Sequence, residues 1–123
     1  MILCDSNIFI SAFNARKDAI EKLDEIGFEN IALSAITVME LYQGMGNKTE
    51  LARMKKKIKY YDVVQMDAEI SMLAIRLIEK FKLSHGLQIP DAIIGATAAV
   101  HKIPLFTYNK KDFDFTPGLV FYK

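Results

Sequence analysis

The chain has 123 residues, 51% of them hydrophobic, and sixteen basic against fifteen acidic residues leave a formal charge of +1. That size and composition suit one globular domain; they exclude disorder and a collagen-like chain, and the single cysteine, Cys4, excludes an internal disulfide framework. A charge so near zero gives no overall field toward nucleic acid or membranes, so any basic surface must be local.

No stretch rich in proline, glycine and serine divides the chain, and Pro90, Pro104 and Pro117 all lie in its C-terminal third, so a single domain over residues 1–123 is expected. The chain opens Met-Ile-Leu-Cys-Asp, with an acid where a signal peptide needs a basic start, and no apolar run reaches about 18 residues. A cytoplasmic protein is expected, without a membrane segment.

Ile2 to Asp5 reads as a short buried strand, and Asp5-Ser6-Asn7 can cap a helix carrying Ile8, Phe9, Ala12 and Phe13. Asp18 to Ile26 sets Ala19, Ile20, Leu23 and Ile26 on one helical stripe, Gly27 stops it, and Asn30 to Leu33 follows as a second strand. Ser34 can cap the helix that carries Glu40. A basic helix is expected from about Thr49 to Tyr60, then a third strand within Tyr61 to Met66, where Val63 and Val64 are β-branched. Asp67 can cap a helix that runs to about Ser84 and breaks at Gly86. Pro90 suits the first turn of an apolar helix through Val100, and Leu105 to Thr107 and Leu119 to Tyr122 are the last strand candidates. Such alternation predicts an α/β fold with a short, mainly parallel sheet flanked by helices.

Open α/β sheets bind ligands outside the carboxyl ends of their strands, which gives weight to acids just after predicted strands. Asp5, Asp91 in the first turn of its helix, Glu40, and Asp112 or Asp114 after the Leu105 strand are the candidates, although capping, helix-dipole and turn roles account for each one singly. Two carboxylates about 4 Å apart repel by roughly 4 kcal/mol at an effective dielectric of 20, so several together must take up protons or bind cations. Oxygen-only donors suit Mg²⁺ or Mn²⁺, and Mg²⁺ commonly shares its shell with phosphate oxygens.

Four segments occur in order: Asp5-Ser6-Asn7-Ile8, Glu40-Leu41-Tyr42-Gln43-Gly44, Ile89-Pro90-Asp91-Ala92-Ile93-Ile94-Gly95-Ala96-Thr97-Ala98, and Thr107-Tyr108-Asn109-Lys110-Lys111-Asp112-Phe113. Together they resemble the PIN-domain nucleases, VapC-like toxins in particular. The resemblance implies a three-layer α/β/α fold and a metal-dependent endoribonuclease with Asp5, Glu40, Asp91 and Asp112 as its acidic cluster. On that mapping Asp5 and Asp91 hold the principal Mg²⁺, for which Mn²⁺ can substitute, Asp112 shares in ligation, and Glu40 orients water or a second ion. Ser6, Asn7, Thr107 and Asn109 are short hydrogen-bonding residues suited to supporting the ligands. The resemblance also implies a homodimer and an antitoxin protein that covers the acidic pocket. The rival from another class is an inactive domain that only binds RNA or protein.

Lys48, Arg53, Lys55, Lys56, Lys57 and Lys59 concentrate positive charge in one stretch, where RNA can lie and where Tyr60 and Tyr61 can stack on bases; a solvated face and core packing are the plainer readings. Cys4 is expected to be a buried small hydrophobe, and His85 and His101 to be residues of helix ends. A phosphohydrolase with an aspartate nucleophile calls for a second acid two residues on, where Asn7 stands, and a receiver domain calls for an early acidic pair, which is missing.

Overall fold

A computed structural model describes residues 1–123. Four strands, β1 (Ile2–Cys4), β2 (Ile31–Ser34), β3 (Asp62–Val64) and β4 (Leu105–Phe106), form one sheet in the order β3-β2-β1-β4. All three pairings are parallel, with Ile2 opposite Ile31, Ala32 opposite Asp62, and Leu3 opposite Leu105. Parallel neighbours need long crossovers, and six helices supply them: α1 (Ser6–Phe13), α2 (Lys17–Ile26), α3 (Ala35–Gln43), α4 (Lys48–Ile58), α5 (Ala68–His85) and α6 (Ile89–His101). No helix is long and apolar enough to cross a membrane.

Side chains alternate across each strand, and this alternation divides the core in two. Cys4, Ile31, Leu33 and Phe106 point to one face, where they pack with Ile8 and Phe9 of α1, Leu23 of α2, Leu41 of α3 and Met54 and Ile58 of α4. Leu3, Ala32 and Leu105 point to the other and meet Ile94 and Ala98 of α6 and Phe113. Helix α5 lies outside α6 and buries Ile70, Ala74 and Leu77 against Ala92 and Ala96. The expected three layers are present.

Helix starts follow the chemistry of their caps. Asp5, Ser34, Asn47 and Asp67 each accept a backbone N–H within the first turn of the helix they precede. Around α4 the capping is two-way: Asn47 Oδ1 accepts from the Glu50 N–H at 2.9 Å, and Glu50 Oε1 accepts from the Gly46 N–H at 2.8 Å. Gly86 ends α5 at φ 68°, a left-handed conformation that favours glycine.

One strand candidate is not a strand. Leu119 to Tyr122 contributes a single bridge, Phe121 beside Leu105, closed by Leu105 N–H to the Val120 carbonyl and Tyr122 N–H to the Leu105 carbonyl, both 2.8 Å. Strand β4 is only two residues long, so there is no ladder for the tail to extend. On α4 the division is clear: Met54 and Ile58 are buried and Leu51 is half-buried, while the lysines face outward. Tyr61 joins the core edge-on to Phe9, ring centroids 5.2 Å apart, whereas Tyr60 is exposed. Cys4 is fully buried, and His85 and His101 are the last residues of α5 and α6.

Phe113, fully buried beside Gly95, anchors the turn that carries Asp112. Phe113→Ala should cost about 3–5 kcal/mol of unfolding free energy in urea titration; a loss below about 1 kcal/mol would show that the turn is seated by something else.

Candidate metal centre and its acidic cluster

Two of the proposed carboxylates sit where the fold turns from strand or loop to helix, and a third lies on a helix that leaves the sheet. Asp5 follows β1 and caps α1, Asp91 lies in the first turn of α6 behind Pro90, and Glu40 lies midway along α3, the helix that leaves β2. Asp112 closes a short 3₁₀ turn beyond β4. Because β1, β2 and β4 are parallel neighbours, their carboxyl ends share one edge of the sheet.

Asp5 is the most constrained of the four, 5% exposed. Its Oδ1 accepts from the Ser6 N–H at 2.8 Å, and its Oδ2 accepts from the Thr107 hydroxyl at 2.9 Å. The Asn7 side-chain amide reaches both Asp5 Oδ2, at 3.4 Å, and Thr107 Oγ1, at 3.3 Å. Thr107 Oγ1 in turn accepts from the Asn109 N–H at 3.0 Å, and Asn7 Oδ1 accepts from the Tyr108 N–H at 3.4 Å. Ser6, Asn7, Thr107 and Asn109 therefore form one network around Asp5, joining the end of β1 to the end of β4.

The electrostatics tie the four acids together. Burial pushes the Asp91 carboxyl up to about 7, with further upward pressure from Asp5, Asp112 and Glu40. Burial and then Asp5 raise Glu40, against a hydrogen bond from the Ser6 side chain. Asp5 is raised by burial and by Asp112, while its bonds from Thr107 and Ser6 hold it down. Even the Cys4 thiol is pushed up to about 12, by burial and by the neighbouring Asp5 charge. No cation relieves this repulsion: the ion pairs of the molecule are Arg16 with Asp18 and Lys22 with Glu25.

No three of the acids, histidines or cysteines close into a ready-made metal cage. Asp5 has both oxygens engaged by donors and Asp112 is exposed, so the cluster is open. An open all-oxygen arrangement suits Mg²⁺, which keeps several waters and takes only one or two carboxylates. The donor chemistry fits further at Glu40, whose Oε1 is buried without a hydrogen-bond partner and is free to accept. Thr37, on the same side of α3 one turn earlier, also has a buried hydroxyl with no partner. Its position three residues before Glu40 was the only signal for it in the sequence.

The PIN domain family matches residues 2–118. The chain belongs to that family. It is 30% identical over 115 residues to "Ribonuclease VapC1" of Methanocaldococcus jannaschii, covering 92% of this chain and 79% of that protein. Among solved structures it resembles a toxin–antitoxin complex from Klebsiella pneumoniae, at 32% identity and TM-score 0.81, over 98% of this chain and 96% of that one. FitAcB from Neisseria gonorrhoeae aligns at 25% identity and TM-score 0.81, over 99% of this chain and 97% of that one. The PIN fold expected from the four sequence motifs is therefore the fold of the molecule.

The raised Asp91 carboxyl gives a signed pH dependence. Between its ordinary value of 3.8 and about 7 the folded chain holds a proton that the unfolded chain has released, so this group makes stability fall as pH rises through that window. Asp91→Asn carries no such charge. In chelator, urea midpoints of Asp91→Asn should gain on wild type steadily from pH 4 to 7 and then level off; a difference independent of pH would refute the coupling.

Proposed function

We propose that this PIN-domain chain is a divalent-metal-dependent endoribonuclease and the toxin of a toxin–antitoxin pair, with Asp5, Glu40, Asp91 and Asp112 as its working carboxylates. The observation that carries the reading is the mutual pressure among those acids, which come from four separate segments of the chain and are not ion-paired. The relatives support the activity and the partner: one is named a ribonuclease and another is a toxin–antitoxin complex. The substrate is RNA, the protein partner is an antitoxin, the chain pairs with a second copy, and the place of action is the cytoplasm.

Asp5 and Asp91 would hold the principal Mg²⁺, or Mn²⁺ in its place, with Asp112 as the third ligand on its exposed turn. When bound, the ion supplies positive charge against the phosphate oxygens and the departing oxygen. Glu40 acts on water: its unpartnered Oε1 accepts a hydrogen bond from the attacking water and orients it in line with the scissile phosphorus. Its raised affinity for protons also makes that oxygen a suitable acceptor as the water loses its proton. Thr107, Ser6 and Asn7 keep Asp5 in one rotamer, and Asn109 keeps Thr107 in place.

The test compares wild type with Asp5→Asn and Asp91→Asn on single-stranded RNA, duplex RNA and DNA, in Mg²⁺, Mn²⁺ or chelator. Cleavage should require the metal, favour RNA, and fall by about 10²–10³-fold in each variant with the fold intact by circular dichroism. Metal-independent cleavage, or RNA binding without cleavage by wild type, would overturn the enzyme reading, the second outcome in favour of a binding module. Thr107→Val, which deletes the hydroxyl donated to Asp5, should raise the Mg²⁺ concentration needed for half-maximal cleavage by about 10–100-fold. An unchanged metal requirement would remove Thr107 from the support of Asp5.

A further inference from the structure

The near-neutral chain conceals a separation of charge. Residues 48–59 hold six basic residues and one acid, which leaves ten basic against fourteen acidic residues for the rest of the molecule. All six basic side chains are exposed, and none of them is ion-paired. Helix stability explains only part of this. Lys55, Lys56 and Lys57 in the last turn of α4 favour the helix dipole, but Lys48 at its first position opposes it and Arg53 at mid-helix gains nothing from it.

The basic helix lies beside the far end of the helix that Asp5 caps. Helix α1 begins at Ser6, beside Asp5, and runs for eight residues, about 12 Å, to Phe13. There it meets α4 across a groove of about 230 Å³, with Ile10 and Phe13 on one wall and Glu50, Arg53, Met54 and Lys57 on the other; Glu50 is tied to the Gly46 N–H. The Lys57 ammonium lies 4.7 Å from the centre of the Phe13 ring. On the outer side Lys48, Arg53 and Lys56 border a second shallow concavity with Thr49 and Ala52 between them. Helix α1 thus has the acidic centre at its start and the basic residues of α4 beside its end.

We propose that α4 binds the phosphodiester backbone of the RNA strand away from the scissile bond, with Lys48, Arg53 and Lys56 neutralising its phosphates. The proposal rests on the nuclease reading for its ligand. Phosphate affinity here offsets the repulsion that an acidic centre exerts on a polyanion, and it acts independently of base sequence. The chemistry is that of a single strand's backbone: basic side chains on one helix face beside a wall of aromatic and aliphatic groups.

Binding of a fluorescent single-stranded RNA is followed by anisotropy in chelator, so that no cleavage occurs, across 0.05 to 0.5 M salt. Compared with wild type, Lys48→Ala/Arg53→Ala/Lys56→Ala should show a salt slope shallower by about 2, which is about a hundredfold weaker binding at 0.1 M salt if the two converge near 1 M. Lys80→Ala/Lys82→Ala/Lys102→Ala removes the same charge elsewhere and should keep the wild-type slope. An unchanged slope in the first variant, or an equal loss in the second, would overturn the assignment. So would polyaspartate of matched length binding as tightly as RNA and losing affinity equally in the first variant, which would mark α4 as a surface for an acidic protein segment. The readout is separate from catalysis: a wild type that cleaves no RNA in any metal would sink the nuclease reading, while the salt slopes would still report on α4.

Discussion

The site depends on one buried carboxylate that no cation neutralises. Asp5 ends the central region of the sheet, and its two oxygens are fed by a backbone N–H, a hydroxyl and an amide drawn from residues up to 102 positions away. Charge-assisted hydrogen bonds of this kind are roughly twice as strong as neutral ones, and they keep the charge tolerable at 5% exposure. The same bonds fix the relation of β1 to β4. Asp5 N–H also donates to the Phe106 carbonyl at 3.0 Å, so its main chain and side chain both reach the neighbouring strand end.

From that fixed point the other acids acquire their character. Asp91 and Glu40 are each raised partly by Asp5, and the Asp112 charge presses on Asp5 and Asp91, so Asp5, Glu40 and Asp91 do not hold their protons independently of one another. A coupled set of acids without a counter-ion has two ways to lower its energy, protonation or a divalent cation. Near neutral pH the first is incomplete, since Asp91 titrates at about 7. The second is the chemistry that the oxygen-only donors of the cluster suit.

Much of this was legible in the sequence, and the reasons differ by element. Short apolar runs ending in Asp5 and Ser34 marked strands because buried parallel strands need apolar side chains on both faces, and the caps marked the helices that follow. The acids could be named because they occur in spaced motifs. The tail at Leu119 to Tyr122 misled, since β-branched and aromatic residues there pack against the sheet edge without a partner strand long enough to pair with. Tyr60 and Tyr61 look alike in the sequence, yet one is exposed and the other meets Phe9; only the direction of chain exit from α4 separates them. The hydrogen bonds of Thr107 to Asp5 and the unpartnered oxygens of Thr37 and Glu40 are tertiary facts, set by how α3, β1 and β4 approach one another.

A molecule of this size cannot hide its charge in bulk, and it solves the problem by position. The acids collect at the strand ends, where helix starts and backbone N–H groups offer partial positive charge. The basic residues of α4 project from a helix whose other side, Met54 and Ile58, is locked into the core beneath β2 and Phe9. Burying those two residues is what fixes the direction of the lysines, because side chains three and four apart on a helix share a face and the rest must turn outward. The hydrophobic core thus determines where the positive charge points, just as the ends of the parallel strands determine where the negative charge gathers.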